Sequence, residues 1–188
     1  MIERNLILRT GFTIVVLLLM GMFLTSVLRS GEKEDTWQVF KPLVGEWKGD
    51  GAGFGDVTDV THLWDLVLQG KYLRLRTKSV SRKEGKSVEL QEEIHEDVGF
   101  LSWDTDRKSF VFRQFLSEGF INTFDVTINS EKPLMMIFGH RETESGGGMR
   151  AQMTLSFTGD TKYDMVLDLA GPGKEFSPCQ QIHMKKNN

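Results

Sequence analysis

The 188-residue sequence contains a single cysteine, Cys179. One cysteine excludes an internal disulfide and any zinc site built from clustered cysteines, and its ordinary interpretation is a small, partly buried apolar residue. Motifs of the Gly-x-Ser-x-Gly, Walker and zincin types are also absent. The run Gly146-Gly147-Gly148 has no helix after it to form a phosphate cradle. Because no catalytic constellation is complete, we expect a binding protein rather than an enzyme.

Positive charge is also in short supply, with 23 lysines and arginines against 26 aspartates and glutamates and a net charge of −3. The chain beyond residue 30 is more acidic still, because residues 1–30 contain three arginines and one glutamate. An acidic domain lacks the basic footprint that neutralises phosphates, so no nucleic-acid partner is expected. The apolar content of 39% and the charged content of 26% are typical of a globular protein.

Charge is missing altogether from Gly11 to Leu28, a run of 18 residues. As a helix it would span about 27 Å, enough for a hydrocarbon core when its polar edges are included. The best candidate cleavage site, Leu24-Thr25-Ser26, lacks the Ala-x-Ala character of signal peptides, which favours an uncleaved membrane anchor. Arg4 and Arg9 would keep the N-terminus cytoplasmic and place the rest outside it. The alternative is a cleaved signal and a secreted or periplasmic protein.

We therefore divide the chain into an anchor or signal segment at 1–30, a polar tether at 31–42 and a folded domain at 43–188. The folded part has no run of 11 or more residues with convincing helical periodicity, which argues against parallel strands joined by helices. About ten apolar runs of strand length follow one another instead, separated by turn signals such as Gln69-Gly70 and Gly159-Asp160. Closing such a meander removes exposed strand edges. The predicted fold is an all-β, antiparallel, up-and-down barrel of about ten strands.

Alternation of apolar and polar residues is clearest around residues 88–100. It predicts a strand whose apolar face is buried. The polar face of the same strand carries Gln91, Glu93, His95 and Asp97. The apolar face consists of Val88, Leu90, Ile94, Val98 and Phe100.

Four segments resemble calycin-type barrels, including nitrobindin-like and fatty-acid-binding-protein-like domains and an uncharacterised lipocalin-like family. They are the Gly-x-Trp-x-Gly start at 45–49 and the segments 68–73, 94–100 and 113–120. The resemblance covers roughly residues 43–184 and implies a barrel that holds its ligand inside. In nitrobindin-like proteins it implies heme b bound by a histidine on the last strand, and His183 is the position that matches. The nitrobindin first-strand loop is replaced here by Phe54-Gly55-Asp56-Val57, so heme b is the alternative interpretation.

Three residues are candidates for binding a ligand: His95, Arg113 and Glu118. Neighbouring carboxylates would favour the charged form of His95 and raise its pKa, whether it faces the interior or a solvated outer wall. An interior Arg113 would bind a carboxylate of the ligand or of the protein, whereas an outward Arg113 would lie across aromatic neighbours. Glu118 belongs to a predicted hairpin turn in which Gly119 has a positive φ. The histidines lack metal-ligand spacing, so no metal site is predicted.

Three functional hypotheses remain. The first is a membrane-tethered, extracytoplasmic, non-enzymatic barrel that binds a small hydrophobic or amphipathic molecule, with Trp47 filling one end as a core residue. The second is a heme-binding barrel with His183 as axial ligand. The third is a filled structural or interaction domain without a ligand.

Overall fold

The computed structural model describes residues 37–53, 56–82, 93–131 and 133–187. The residues from Pro42 onward form one compact unit. Within the described ranges no helix has the length and apolarity needed to cross a membrane. The anchor predicted at 1–30 and the first part of the tether lie outside the described residues.

Ten antiparallel strands form one closed barrel, in which each strand pairs with the next along the chain and β1 pairs with β10. This confirms the all-β, antiparallel, ten-stranded barrel predicted from the spacing of the apolar runs. A short 3-10 helix, Gln38–Leu43, precedes the first strand. The strands are β1 Gly45–Gly53, β2 Asp56–Val67, β3 Tyr72–Arg82, β4 Glu93–Asp104, β5 Ser109–Leu116, β6 Ile121–Asn129, β7 Met135–Glu144, β8 Arg150–Gly159, β9 Lys162–Ala170 and β10 Ser177–Lys186.

The β5–β6 hairpin turn forms as predicted. Gly119 has a φ of +88°, a conformation that a side chain disfavours, and its amide donates to the carbonyl of Leu116 at 3.0 Å. The turn projects Glu118 beyond the end of β5, on the same side of the barrel as the start of β4.

Aromatic side chains fill one half of the barrel. Trp47 is fully buried, and its indole nitrogen donates to the carbonyl of Leu43 at 2.7 Å, which satisfies its polar group. Its ring lies 4.6 Å from that of Tyr163, and the ammonium of Lys186 lies 5.2 Å from the Trp47 ring centre. Trp47 therefore occupies one end of the barrel as a core residue, as the sequence predicted. A second aromatic cluster consists of Trp64, Phe112, Phe124 and Phe138.

The face assignment of β4 is opposite to the one predicted. Ile94 is 54% exposed and Val98 37% exposed, whereas Asp97 is only 5% exposed. The reason is the register of this strand, in which Gly99 and Leu101 are buried in the packed half of the barrel. Since side chains alternate with a period of two, Asp97 and His95 must share the inner face with them.

Candidate functional site

The other half of the barrel contains a cavity of about 410 Å³. This volume is in the range of sites for small molecules. Strands β3 and β4 line it with Thr77, Ser79, Ser81, Glu93, His95 and Asp97, while β8 and β9 contribute Ala151, Met153, Met165, Leu167 and Leu169.

The cavity has two chemically different walls. On β8 and β9 every lining residue is apolar except Arg150, which stands at the start of β8. The polar lining residues lie mainly on β2 to β6, where Gln114 and Asn122 are paired across β5 and β6. In a ten-stranded ring these two groups of strands lie on opposite sides. One space therefore offers an apolar wall and a hydrogen-bonding wall to the same molecule.

His95 lies between two carboxylates on the polar wall. Its Nδ1 is 2.5 Å from Oε1 of Glu118, and its Nε2 is 3.5 Å from Oδ2 of Asp97. The hydrogen bond to Asp97, followed by the interactions with Glu118, raises the pKa of His95 to about 9 although burial opposes this. Burial acts to raise the pKa of Glu118, but the hydrogen bond from His95, the hydrogen bonds from the backbone amide of Glu118 and from Ser117, and the charge of His95 together lower it overall. At neutral pH His95 is an imidazolium that is hydrogen-bonded to Glu118 and forms an ion pair with Asp97.

Because His95 is paired with carboxylates, the free energy of unfolding is expected to fall at alkaline pH. A folded-state pKa of about 9 against an ordinary value of 6.5 contributes stability that is complete below pH 6.5 and is lost as the pH rises through 9. Allowing for partial exposure, we expect a loss of about 1–2 kcal/mol. Urea unfolding of the wild type and His95→Gln at pH 6 and pH 10 measures it. An equal alkaline loss in both proteins would contradict the ion-pair assignment.

His62 lies deeper, at the boundary between the cavity and the packed half. It is 3% exposed, and its Nδ1 shares a hydrogen bond of 2.7 Å with the hydroxyl of Tyr163. Burial lowers the pKa of His62 to about 4, although the nearby Asp97 acts in the opposite direction. Burial also raises the pKa of Tyr163. His62 and Tyr163 therefore form a neutral pair at physiological pH.

Side-chain hydrogen bonds also connect β6 and β7. The hydroxyl of Thr143 donates to Oδ1 of Asn122 at 2.7 Å and is 3.2 Å from Nε2 of His140. Because that hydroxyl hydrogen is already used, His140 is the donor in the second bond. Burial, followed by the charge of Arg150, lowers the pKa of His140. These hydrogen bonds hold Asn122 in a fixed orientation at the cavity wall.

The structure brings two of the three sequence candidates together and separates the third. His95 and Glu118 meet at the cavity, whereas Arg113 is exposed on the outer wall, where its guanidinium lies 3.4 Å from the hydroxyl of Ser102. His183 is also outside, with its Nδ1 2.7 Å from Oδ1 of Asp164. The alternation along β10 turns His183 away from the interior, so it does not fit as a ligand to a heme held in the cavity.

Sequence reasoning did not single out His62 and Asn122, and it treated Asp97 only as a neighbour of His95. One signal was present: polar residues recur with a period of two at Thr77, Ser79 and Ser81, as they do on β4. Two adjacent strands with polar residues in the same period are consistent with a polar interior wall. Among the described residues no group of three or more histidine, cysteine, aspartate or glutamate side chains is placed to hold a metal ion.

The fold and the cavity together define a closed, ten-stranded antiparallel β-barrel with a half-hollow interior. No family model matches the sequence, and no curated protein is significantly similar to it. The structure is similar to that of Rv2717c from M. tuberculosis, with a TM-score of 0.61 and 13% sequence identity, over 81% of this chain and 97% of that one. At this identity the similarity supports the barrel fold alone.

A protein of unknown function of the DUF3598 family from Nostoc punctiforme also matches, with 8% identity over 80% of this chain and 98% of that one. Its TM-score of 0.28 is too low to carry an argument.

Proposed function

We propose that this protein is a non-enzymatic carrier or sensor that binds one small amphipathic molecule inside its barrel. The observation that carries the proposal is the cavity of about 410 Å³ with an apolar wall on β8 and β9 opposite a polar wall on β2 to β6. Apolar burial contributes roughly 25 cal/mol per Å², so the first wall supplies affinity. The second wall orients the ligand through a few placed polar groups.

We propose no catalytic step because the histidines of the polar wall are already paired with other groups. His95 is already paired with Asp97 and Glu118, and its pKa of about 9 makes it a poor proton acceptor at neutral pH. His62 is neutral, but its Nδ1 is engaged by Tyr163. These pairs support a binding site better than a general acid and base.

Filling the cavity from its apolar wall tests the proposal. The full-length protein, labelled with ¹³C at its methionine methyl groups, is titrated with 1-hexanol, a neutral amphiphile. The side chains of Met153 and Met165 line the cavity, whereas those of Met136 and Met184 lie in the packed half. Of these four methionines, we expect saturable shifts only in the methyl signals of Met153 and Met165. Ala151→Phe places a ring in the cavity and is expected to weaken binding by about tenfold or more.

The matched control is Gln152→Phe, which adds the same ring to the adjacent position on the outer side of β8. It should change the hexanol affinity less than twofold. Unsaturable or absent shifts at Met153 and Met165 in the wild type would leave the third hypothesis, a structural domain without a ligand, in place of this one.

We also propose that the barrel is attached to a membrane through residues 1–30, with the barrel extracytoplasmic, and that it is related to the calycins. The uncharged run from Gly11 to Leu28 and the Gly-x-Trp-x-Gly start of β1 support these proposals. Recovery of the native protein in the membrane fraction after a carbonate wash is the expected result for attachment. A mass that lacks the first residues would indicate cleavage instead.

A further inference from the structure

Asp97 carries an unused hydrogen-bond acceptor in the wall of the cavity. Its side chain lines the cavity and is 5% exposed, and its Oδ1 has no hydrogen-bond partner among the described residues. The other oxygen, Oδ2, faces His95. A buried carboxylate oxygen without a donor is costly, so a donor supplied by a bound molecule would be favoured there.

The charges around Asp97 indicate which donor the site prefers. Among the described lining residues, Glu93, Asp97 and Glu118 are carboxylates, and His95 and Arg150 are cations. His95 is shared between two of the carboxylates, and Arg150 stands on the opposite wall. The guanidinium of Arg150 donates to the carbonyl of Lys174 and lies 5.0 Å from the ring centre of Phe176. The polar wall therefore retains an excess of negative charge.

We propose that the cavity selects amphipathic molecules with an ammonium head, which pairs with the carboxylate of Asp97 while the alkyl chain lies along β8 and β9. This rests on the proposed function and specifies its ligand class. Thr77 is directly opposite Asp97 in the β3–β4 register, so its hydroxyl is placed to accept a second hydrogen bond from the same head. A fatty acid is disfavoured because its carboxylate would meet Asp97 and Glu118, and Arg113, the residue expected to hold it, lies outside.

A series of three ligands that share one alkyl chain tests the selectivity. Hexylamine, 1-hexanol and hexanoate are titrated at pH 7 into the full-length protein, with the methyl signals of Met153 and Met165 as the readout. The amine is charged at this pH, as a lysine side chain is. We expect hexylamine to bind about tenfold more tightly than hexanol, since hydrogen bonds to charged groups are the strong ones, and hexanoate to bind more weakly than hexanol.

Asp97→Asn removes the charge with little change in shape and should reduce the ratio of hexylamine affinity to hexanol affinity at least fivefold. The control is Glu96→Gln, which removes the same charge from the adjacent, exposed position on the outer face of β4. Native methyl signals of Met136 and Met184 show that a variant is folded. If Asp97→Asn is not folded, Glu118→Gln replaces it, with an expected reduction of about threefold.

Each outcome separates the two proposals. Hexanol binding without a preference for the amine in the wild type overturns the ammonium assignment and leaves the binding function standing. The same follows if the preference survives in a folded Asp97→Asn, or in Glu118→Gln where that variant is the one tested. If none of the three ligands shifts Met153 and Met165, both proposals fail.

Discussion

Replacing Phe112 with alanine is expected to lower the free energy of unfolding by about 3–5 kcal/mol. Its ring is fully buried in the packed half of the barrel, 5.2 Å from that of Phe138, 6.0 Å from that of Phe124 and 6.1 Å from that of Trp64. These neighbours come from three other strands and cannot all move into the vacated space. Urea unfolding monitored by tryptophan fluorescence measures the loss. Arg113→Ala, on the outer face of the same strand, should cost far less.

Gly99 lies directly against the Phe112 ring, and a Cβ atom at Gly99 would lie 2.1 Å from the tip of that ring. Gly99→Ala alone should therefore cost about 1–3 kcal/mol through overpacking. In the Phe112→Ala background the added methyl group has room, and its cost should vanish or change sign. The double-mutant cycle then gives a coupling of more than about 1 kcal/mol. Additive effects of the two substitutions would show that the ring does not occupy this space in the folded protein.

Acid should destabilise the protein through His62. Burial lowers its pKa to about 4 from an ordinary value of 6.5, so the unfolded chain takes up a proton that the folded protein resists. The contribution of neutral His62 is complete above pH 6.5 and is lost as the pH falls through 4. For a fully buried group a shift of this size corresponds to about 3 kcal/mol. The charged groups facing it are few, chiefly Asp97.

Urea unfolding at pH 7 and pH 3.5 of the wild type and His62→Gln checks this expectation. The variant should lose about 3 kcal/mol less than the wild type over the same interval, because carboxylates titrate equally in both proteins. Thr61→Ala, on the outer side of β2, removes no ionisable group and should follow the wild type. An acid loss as large in His62→Gln as in the wild type would assign acid denaturation to other groups.

The two halves of the barrel have different consequences for function. The packed half, with Trp47 and Phe112, supplies rigidity, while the cavity half bears Asp97 and His95. His62 lies between them, held by Tyr163 from the packed side and lining the cavity on the other. A ligand bound as proposed would therefore meet a floor whose side chains are already fixed, which would reduce the entropic cost of binding.

The strand pattern was predictable because it depends on local periodicity. On β8 the apolar residues Ala151, Met153, Leu155 and Phe157 alternate with polar ones in the sequence, and they are the buried residues of that strand. The Gly119 turn was predictable for the same reason, since the constraint on φ is local. The site was only partly predictable. His95 and Glu118 were identified as candidates 23 positions apart, and their meeting depended on the β4–β5 pairing.

The face of β4 shows why local pattern was insufficient there. Ile94 and Val98 are the more apolar residues, yet they are exposed, because Gly99 has to admit the Phe112 ring and Leu101 has to fill the packed half. A strand has one register, so these two positions determine the side on which every other residue lies. The same rule leaves Arg113 and His183 on the outer wall.

The sequence by itself determined that the folded domain is an antiparallel, all-β barrel of about ten strands, since strand length, turn chemistry and alternation are local properties. The tertiary structure alone decided that the polar face of β4 points inward, that half of the interior is hollow, and that one oxygen of Asp97, in the cavity wall, has no hydrogen-bond partner among the described residues. These properties depend on which side chains meet across strands distant in sequence. Packing selects among faces that local periodicity leaves equivalent.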